Sequence, residues 1–170
     1  MTPDGIIDQH QAPPRYARHA SILSLLVLGG LLTLAATGSL GGDKNPTTTK
    51  TGDAVTVDVN IPSVIRNGQF FETRIAITAL QPLSDVVIAV EPSLWRDFTV
   101  NSMIPAASAE RYKNGFYQFS YGALGRGERL FVKVDSQINP ALFGGTSGQL
   151  VVLNKDVVVA RLPLSIRVLP

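Results

Sequence analysis

The chain has 170 residues and a formal net charge of only +2, so it carries no basic field for neutralising nucleic-acid phosphates, and we expect no nucleic-acid partner. It contains no cysteine, which excludes disulfides and thiolate metal sites. The histidines are His10 and His19, so residues 20–170 contain neither His nor Cys for a nucleophilic triad or a transition-metal site.

A long apolar stretch follows a polar tail. Residues 1–19 contain three prolines and are predicted to form a mostly irregular tail. Residues 20–41 are predicted to form a transmembrane helix, because the run from Ala20 to Leu40 holds no charged residue. Such a helix would be about 31 Å long, against about 30 Å for the hydrocarbon core of a bilayer.

The charged residues next to this helix indicate its orientation. Two cations lie on each side, so their number does not distinguish the two orientations, but their distance from the apolar stretch does. Arg15 and Arg18 lie closer to the apolar edge than Lys44 and Lys50 do. We therefore predict a single-pass protein of the bacterial inner membrane, with a cytoplasmic N-terminus and a periplasmic or extracellular C-terminal domain. The alternative is a signal peptide cleaved near the small residues 36–38, for which this tail is long.

Small residues recur along one side of the predicted helix. Gly29, Thr33 and Thr37 are spaced four apart, with Gly30 beside them. In lipid, small side chains let a second helix approach closely. We predict that these four residues pack against helices of integral-membrane partner subunits within the lipid bilayer. The alternative is that they only reflect the usual composition of membrane helices.

The second part of the chain has the pattern of a β domain. Residues 42–53 are rich in Gly and Thr and are predicted to be a flexible linker. In residues 54–170 the apolar period changes to two, which indicates strands. Residues 55–61, 69–79 and 85–91 are the first three predicted strands.

The clearest turn signal in this domain is Asn114-Gly115, because these residues tolerate the positive φ angles of a two-residue hairpin turn. A short helical turn and a strand from Phe98 are predicted before it, and further strands are predicted at 130–135, 149–153 and 157–169. About seven to nine short strands, with turn signals every 8 to 12 residues or so, predict an all-β, antiparallel sandwich.

Three features of residues 54–170 carry a resemblance to a known family. They are the Asn67-Gly68 turn, the sequence LGRGE at 124–128, and the closing RLPLSIRVLP. This pattern resembles bacterial immunoglobulin-like domains of the adhesion and cell-surface type, in which a Pro-Gly-Glu or Gly-Glu turn precedes a late strand. Arg126 stands where the proline of that turn often lies. The resemblance implies an immunoglobulin-like β-sandwich and no activity.

Aromatic residues near arginines are the candidate binding residues of the domain. Trp, Tyr and Arg carry much of the binding energy at protein interfaces. We predict partner contacts at Trp95, Arg96, Phe98, Tyr112 and Tyr117, and at the apolar loop tip of Leu142 and Phe143. The alternative is that alternate aromatic rings line the sandwich core and that Trp95 closes one end of it.

These observations favour a noncatalytic accessory or scaffolding subunit of a larger inner-membrane complex of the respiratory, photosynthetic or transport type. We predict no enzyme, no cofactor and no metal site. An enzyme would have to work with carboxylates such as Asp85, Glu91 and Asp97 alone. The alternative function is a free-standing, membrane-anchored envelope module that binds glycan or another ligand on its aromatic residues.

Overall fold

A computed structural model describes residues 17–39, 45–139 and 144–170 of the chain. The chain divides into two compact units, of which the first ends at Ser39. The first unit contains a helix, and the second contains the strands.

Helix α1 runs from Ala17 to Ala36 and covers most of the stretch predicted to cross a membrane. Its apolar side chains from residue 21 onward are exposed; Leu25, for example, is 70% exposed. The helix ends because Gly38 adopts a φ of 72°, a left-handed conformation that is common after a helix C-terminus. Within the described residues, no helix meets the length and hydropathy that crossing a membrane requires. The predicted transmembrane helix over residues 20–41 is therefore not confirmed.

The second unit is built almost wholly of strands. They are β1 (Thr47–Thr51), β2 (Val55–Asn60), β3 (Val64–Arg66), β4 (Phe70–Ala79), β5 (Val86–Val90), β6 (Phe98–Ile104), β7 (Ala109–Lys113), β8 (Phe116–Ser120), β9 (Arg129–Ile138), β10 (Thr146–Asn154) and β11 (Val157–Leu169). A one-turn helix, α2 (Pro92–Trp95), lies between β5 and β6. The predicted short helical turn followed by a strand from Phe98 is thus confirmed.

These strands form two sheets that pack face to face. The five-stranded sheet has the order β1–β2–β4–β9–β6, and the six-stranded sheet has the order β3–β11–β10–β5–β8–β7. The predicted all-β sandwich is confirmed, with one correction to its antiparallel character: β3 pairs in parallel with the end of β11. The reason is that Pro62 cannot donate a ladder hydrogen bond, so β2 ends and the chain crosses to the other sheet.

The period-two pattern fills the space between the sheets. In β2, Val55, Val57 and Val59 are fully buried, whereas the residues between them are partly exposed. Ile77 in β4 is likewise fully buried and belongs to the same core. The predicted strands at 55–61, 69–79 and 85–91 agree with β2, β4 and β5 to within one residue at each end.

The predicted Asn114-Gly115 turn also agrees with the structure, and Pro163 falls where a proline is tolerated. Asn114 and Gly115 have φ angles of 54° and 81° and join β7 to β8 as a hairpin. Pro163 lies in β11 opposite Gln149 of β10. Among the described strands, none pairs with the other side of β11 at this position, which is where a proline without an N–H is tolerated.

Strand β1 lies inside residues 42–53, which were predicted to be a flexible linker. Its threonines are β-branched and favour extended backbone. It pairs with β2, and Thr49 Oγ1 donates a hydrogen bond of 2.7 Å to Asp58 Oδ1. The predicted linker is therefore too long at its C-terminal end. All side chains of β1 are exposed, so its sequence has no apolar alternation from which the strand could be predicted.

A second, smaller apolar cluster covers part of the outer face of the six-stranded sheet. Val86, Ile88 and Val90 point into the main core, so the residues between them point outward. Those outward residues are nevertheless buried, and Phe116 packs against them. The outer cluster consists of Val87, Ala89, Val151 and Leu153.

Charged residues connect the β7–β8 hairpin to the turn between β10 and β11 on this side of the sheet. Lys113 Nζ lies 2.7 Å from Asp156 Oδ1, and Arg111 Nη2 lies 3.7 Å from the same oxygen. The hydrogen bond from Lys113, together with its charge, lowers the pKa of Asp156. Arg111 Nε also donates to Gln118 Oε1 at 2.9 Å. The edge hairpin is thus attached, across β5, to the turn between β10 and β11 of its own sheet.

Truncating a fully buried side chain of the main core should cost much more than truncating an exposed one. We expect Ile77→Ala to lower the free energy of unfolding by about 2–5 kcal/mol, because it leaves a cavity between the sheets. The matched control is Val157→Ala, whose side chain is 68% exposed and whose effect should stay within about 0.5 kcal/mol. Urea denaturation of the full chain measures both values. Equal effects would contradict the core assignment.

Candidate binding cleft at the open edge of the sandwich

The β7–β8 hairpin carries aromatic side chains on the face that is directed toward the other sheet. Tyr112 pairs with Tyr117, and Tyr117 pairs in turn with the core residue Val90. Glu110 and Phe119 form the next pair on the same face. The rings of Tyr112 and Tyr117 have centroids 5.4 Å apart. We call Tyr112, Tyr117 and Phe119 the aromatic ladder.

Strand β6 faces this hairpin from the edge of the five-stranded sheet. Met103 pairs with the core residue Val134, so its side chain points between the sheets. A cleft of about 360 Å³ lies between β6 and the hairpin. Its lining consists of Trp95, Val100, Asn101, Ser102, Met103, Glu110 and Phe119. Because β6 and β7 are the last strands of their sheets, we call this the open-edge cleft.

Helix α2 positions Trp95 in the cleft. Pro92 takes the first turn of the helix, where its fixed φ and missing N–H are tolerated. Leu94 is 1% exposed and fixes the helix to the core. Trp95 is half-buried, packs against the core, and has its ring centroid 5.5 Å from that of Phe119. Trp95 is therefore partly packed against the core and partly exposed to the cleft.

Tyr121 connects the two walls of the cleft. Its hydroxyl donates a hydrogen bond of 2.8 Å to Met103 Sδ. Burial, and after it the negative charge of Glu110, raises the pKa of Tyr121 to about 12. The hydroxyl therefore keeps its proton, and with it this hydrogen bond, above the pH at which an ordinary tyrosine ionises. The distance between β6 and the hairpin is thus held by a side-chain contact across the sandwich.

The predicted contact residues separate into three groups in the structure. Trp95 lines the cleft, and Tyr112 and Tyr117 form the exposed part of the aromatic ladder. Phe98 packs instead against Phe71, with ring centroids 5.2 Å apart and the rings edge to face. Leu142 and Phe143 lie outside the described residues. The structure therefore pairs Tyr112 with Tyr117, places Trp95 beside Phe119, and assigns Phe98 to the sandwich interior.

Arg96 does not line the cleft, although it follows Trp95 directly. Its Nε lies 3.6 Å from Asp97 Oδ2, and 71% of its side chain is exposed. It lines a separate depression beside β10 and β11. Arg96 and Trp95 thus belong to different surfaces, which their adjacency in the sequence did not indicate.

The second wall of the cleft and its acidic residue were not predicted from the sequence. The Asn114-Gly115 turn fixes the register of the hairpin, so counting back from it could have placed Glu110 beside Phe119. No local signal could have placed Val100 and Met103 opposite them, because β6 belongs to the other sheet.

The carboxylates considered for catalysis have structural contacts. Asp85 accepts hydrogen bonds from Ser120 Oγ at 2.5 Å and from Gly122 N at 3.0 Å. Glu91 Oε2 accepts one from Gln149 N at 2.9 Å. Asp85 precedes β5 and Glu91 follows it, so six residue steps separate them. At a rise of about 3.3 Å per residue, the two acids lie about 20 Å apart. A glycosidase pair requires a separation of about 5–10 Å.

Comparisons with known proteins bear on the fold alone. No family model and no curated protein matches this chain. It is similar to the CARDB domain of a Pyrococcus furiosus protein crystallised with di-metal ions. The two are 15% identical, the match covers 75% of this chain and 98% of that chain, and the TM-score is 0.46. It is also similar to the chitin-binding domain of a P. furiosus chitinase, with 13% identity, 67% and 100% coverage, and a TM-score of 0.41. A non-cellulosomal cohesin from Archaeoglobus fulgidus has 10% identity, 67% and 91% coverage, and a TM-score of 0.42.

Replacing Tyr121 by Phe should remove one pH-dependent loss of stability. The unfolded tyrosine ionises near its ordinary pKa of 10.0, whereas the folded one ionises at about 12. The contribution of Tyr121 is therefore complete below pH 10 and is lost as pH rises through about 12. Between pH 10 and about 12, the free energy of unfolding measured by urea denaturation should fall less steeply for Tyr121→Phe than for the wild type. Equal slopes for the two proteins would contradict the raised pKa.

Proposed function

We propose that this chain is a noncatalytic binding protein whose β-sandwich holds an extended segment of a protein partner in the open-edge cleft. The observation that carries the proposal is the aromatic ladder, which continues from the buried core out to solvent on one face of an edge hairpin. Phe119 is 9% exposed, Tyr117 is 42% exposed and Tyr112 is 65% exposed. Rings placed in this way offer a large apolar contact area at a small cost in conformational entropy.

The chemistry of the opposite wall supports a protein ligand. Val100 lines the cleft and is 37% exposed, so β6 adds apolar area to that of the rings. The polar groups of the lining are few, namely Asn101, Ser102 and Glu110. Apolar and aromatic surface with a small number of polar groups is the usual composition at the centre of a protein interface.

The backbone at the mouth of the cleft supports an extended conformation for that ligand. Among the described strands, β6 pairs only with β9 and β7 pairs only with β8. One side of each strand therefore has N–H and C=O groups without a strand partner. Such edges bind a peptide by strand addition, in which main-chain hydrogen bonds give affinity and side-chain pockets give specificity.

Site-directed crosslinking should locate the partner on this cleft. A photoreactive residue at Tyr112 or Tyr117 of the full chain should capture the same protein in native cell envelopes. The matched control is Phe131, an aromatic residue that is 51% exposed on β9 of the five-stranded sheet and is not part of the aromatic ladder. With the captured protein purified, Tyr112→Ala and Tyr117→Ala should each weaken its affinity about tenfold or more, and Phe131→Ala should leave it unchanged.

Two results would contradict this proposal. One is capture of the same proteins from Phe131 as from Tyr112 and Tyr117. The other is binding of chitin fragments or peptidoglycan fragments that is lost in Tyr112→Ala and Trp95→Ala. That second result would favour a glycan ligand stacked on the aromatic residues.

We further propose that α1 attaches this binding protein to the bacterial inner membrane, with the β-sandwich in the periplasm or outside the cell. The partner would then be a subunit of a larger membrane complex, and the chain would be its accessory subunit. Support comes from the exposed apolar side chains of α1 and from its threonines. Thr33 Oγ1 donates to Gly29 O at 2.7 Å, and Thr37 Oγ1 donates to Leu34 O at 3.0 Å. Hydroxyls bonded within the helix can be buried against another helix without an unsatisfied donor.

Bulky residues on the small-residue side of α1 should disrupt this attachment to a partner helix. At Gly29 and Gly30 an added Cβ meets no atom within 4 Å, so the helix itself tolerates a larger side chain. We expect Gly29→Leu combined with Thr33→Leu to reduce co-purification with membrane subunits in mild detergent. The control is Leu31→Phe on the opposite side of the helix. Unchanged association in the double variant would remove α1 from the interface.

A further inference from the structure

A polar groove follows the outer face of the six-stranded sheet, away from the open-edge cleft. Two depressions, of about 530 Å³ and 680 Å³, adjoin each other there. Both are lined by Ser93, Ser147 and Ser165. Ser147 of β10 and Ser165 of β11 are directly paired, so their hydroxyls lie on one face. We call the two depressions together the serine groove.

One end of the serine groove is cationic. Arg96 and Arg167 line it, together with Ser63, and no Asp or Glu is among the described residues of that lining. The position of Ser63 is fixed by its carbonyl oxygen, which accepts a hydrogen bond of 2.9 Å from Arg167 N. Within the described part of the chain, the guanidinium of Arg167 has no ion-pair or hydrogen-bond partner. Arg96 has only Asp97 at 3.6 Å, in an exposed pair of low strength.

The walls of the serine groove are held by close backbone contacts. A Cβ at Gly148 would lie 2.7 Å from Ser93 Oγ and 2.9 Å from Leu94 Cβ, so only glycine lets β10 approach α2 this closely. A Cβ at Gly145 would lie 2.1 Å from Ile166 O. Thr146 Oγ1 donates to the carbonyl oxygens of Ser93 and Leu94. The groove is therefore preformed, which reduces the ordering cost of binding a ligand.

We propose that the serine groove is a site for an oxyanion, a carboxylate or a phosphate group, held between Arg96 and Arg167. Guanidinium groups bind these anions with two parallel hydrogen bonds, and serine hydroxyls at 63, 93, 147 and 165 can donate further ones. The other end of the groove offers both an acceptor and donors, because Glu91 and Gln149 line it. A ligand with an acidic group at one end and hydroxyls along its body fits this order.

This proposal is independent of the protein ligand assigned to the open-edge cleft. Trp95, Tyr112 and Tyr117 line no part of the serine groove. Conversely, Arg96 and Arg167 line no part of the cleft. Variants at one site therefore test that site alone.

Titration of the full chain with small probes tests the proposal. Isothermal calorimetry and amide chemical shifts would follow binding of inorganic phosphate, glucuronate and, as a neutral comparison, glucose. We expect phosphate or glucuronate to shift the amides of Gly145, Ser147 and Gly148, with an affinity that falls as salt is raised. Binding of both anions indicates a general oxyanion site, whereas binding of glucuronate alone indicates an acidic saccharide.

Arginine variants supply the decisive comparison. Arg167→Gln should weaken binding of the anion about tenfold or more, because charge-assisted hydrogen bonds are lost. Arg126→Gln, in an exposed turn elsewhere, is the matched control and should bind like the wild type. The proposal is overturned if neither anion shifts the groove amides, if glucose binds equally well, or if Arg126→Gln and Arg167→Gln weaken binding to the same extent.

Discussion

The burial of alternating valine and isoleucine side chains between the two sheets holds the β domain together. The chain has no cysteine, so no disulfide can share this role. Every second residue of β2 is fully buried, and a slip of one residue in that strand would turn Val55, Val57 and Val59 to solvent. Strand register, and with it the position of every surface residue on the sandwich, therefore depends on this packing.

The unequal width of the sheets creates the candidate cleft. The six-stranded sheet ends in the β7–β8 hairpin, and the five-stranded sheet ends in β6. The aromatic side chains of the hairpin thus begin in the core at Phe119 and end in solvent at Tyr112. On the same sheet, close packing of α2 on β10 holds a wall of the serine groove. The open-edge cleft and the serine groove both lie at the margins of the core, where strands contact each other or contact the one-turn helix α2.

Local sequence patterns predicted the elements better than the surfaces. The Asn114-Gly115 turn and the alternation in β2 and β4 were sufficient for a hairpin and a sandwich, because backbone φ and side-chain period are local properties. Strand β1 escaped prediction since its exposed threonines show no apolar alternation. Trp95 and Arg96 were assigned to one contact surface, yet they line two different depressions. Which strands face each other depends on contacts between residues distant in sequence, such as Met103 and Tyr121, and no local pattern encodes these.

The contacts of Asp156 have a consequence for the opposite side of the sheet. Lys113 and Arg111 bind this carboxylate on the outer face, while Phe116 packs on the outer cluster. A two-stranded hairpin at a sheet margin would otherwise fray easily. Packing of Phe116 contributes more to holding the hairpin than these exposed ion pairs do, so Tyr112 and Tyr117 stand on a hairpin that is supported from behind. A segment that bound at the proposed cleft would therefore meet a surface that is already ordered and would have to order only itself.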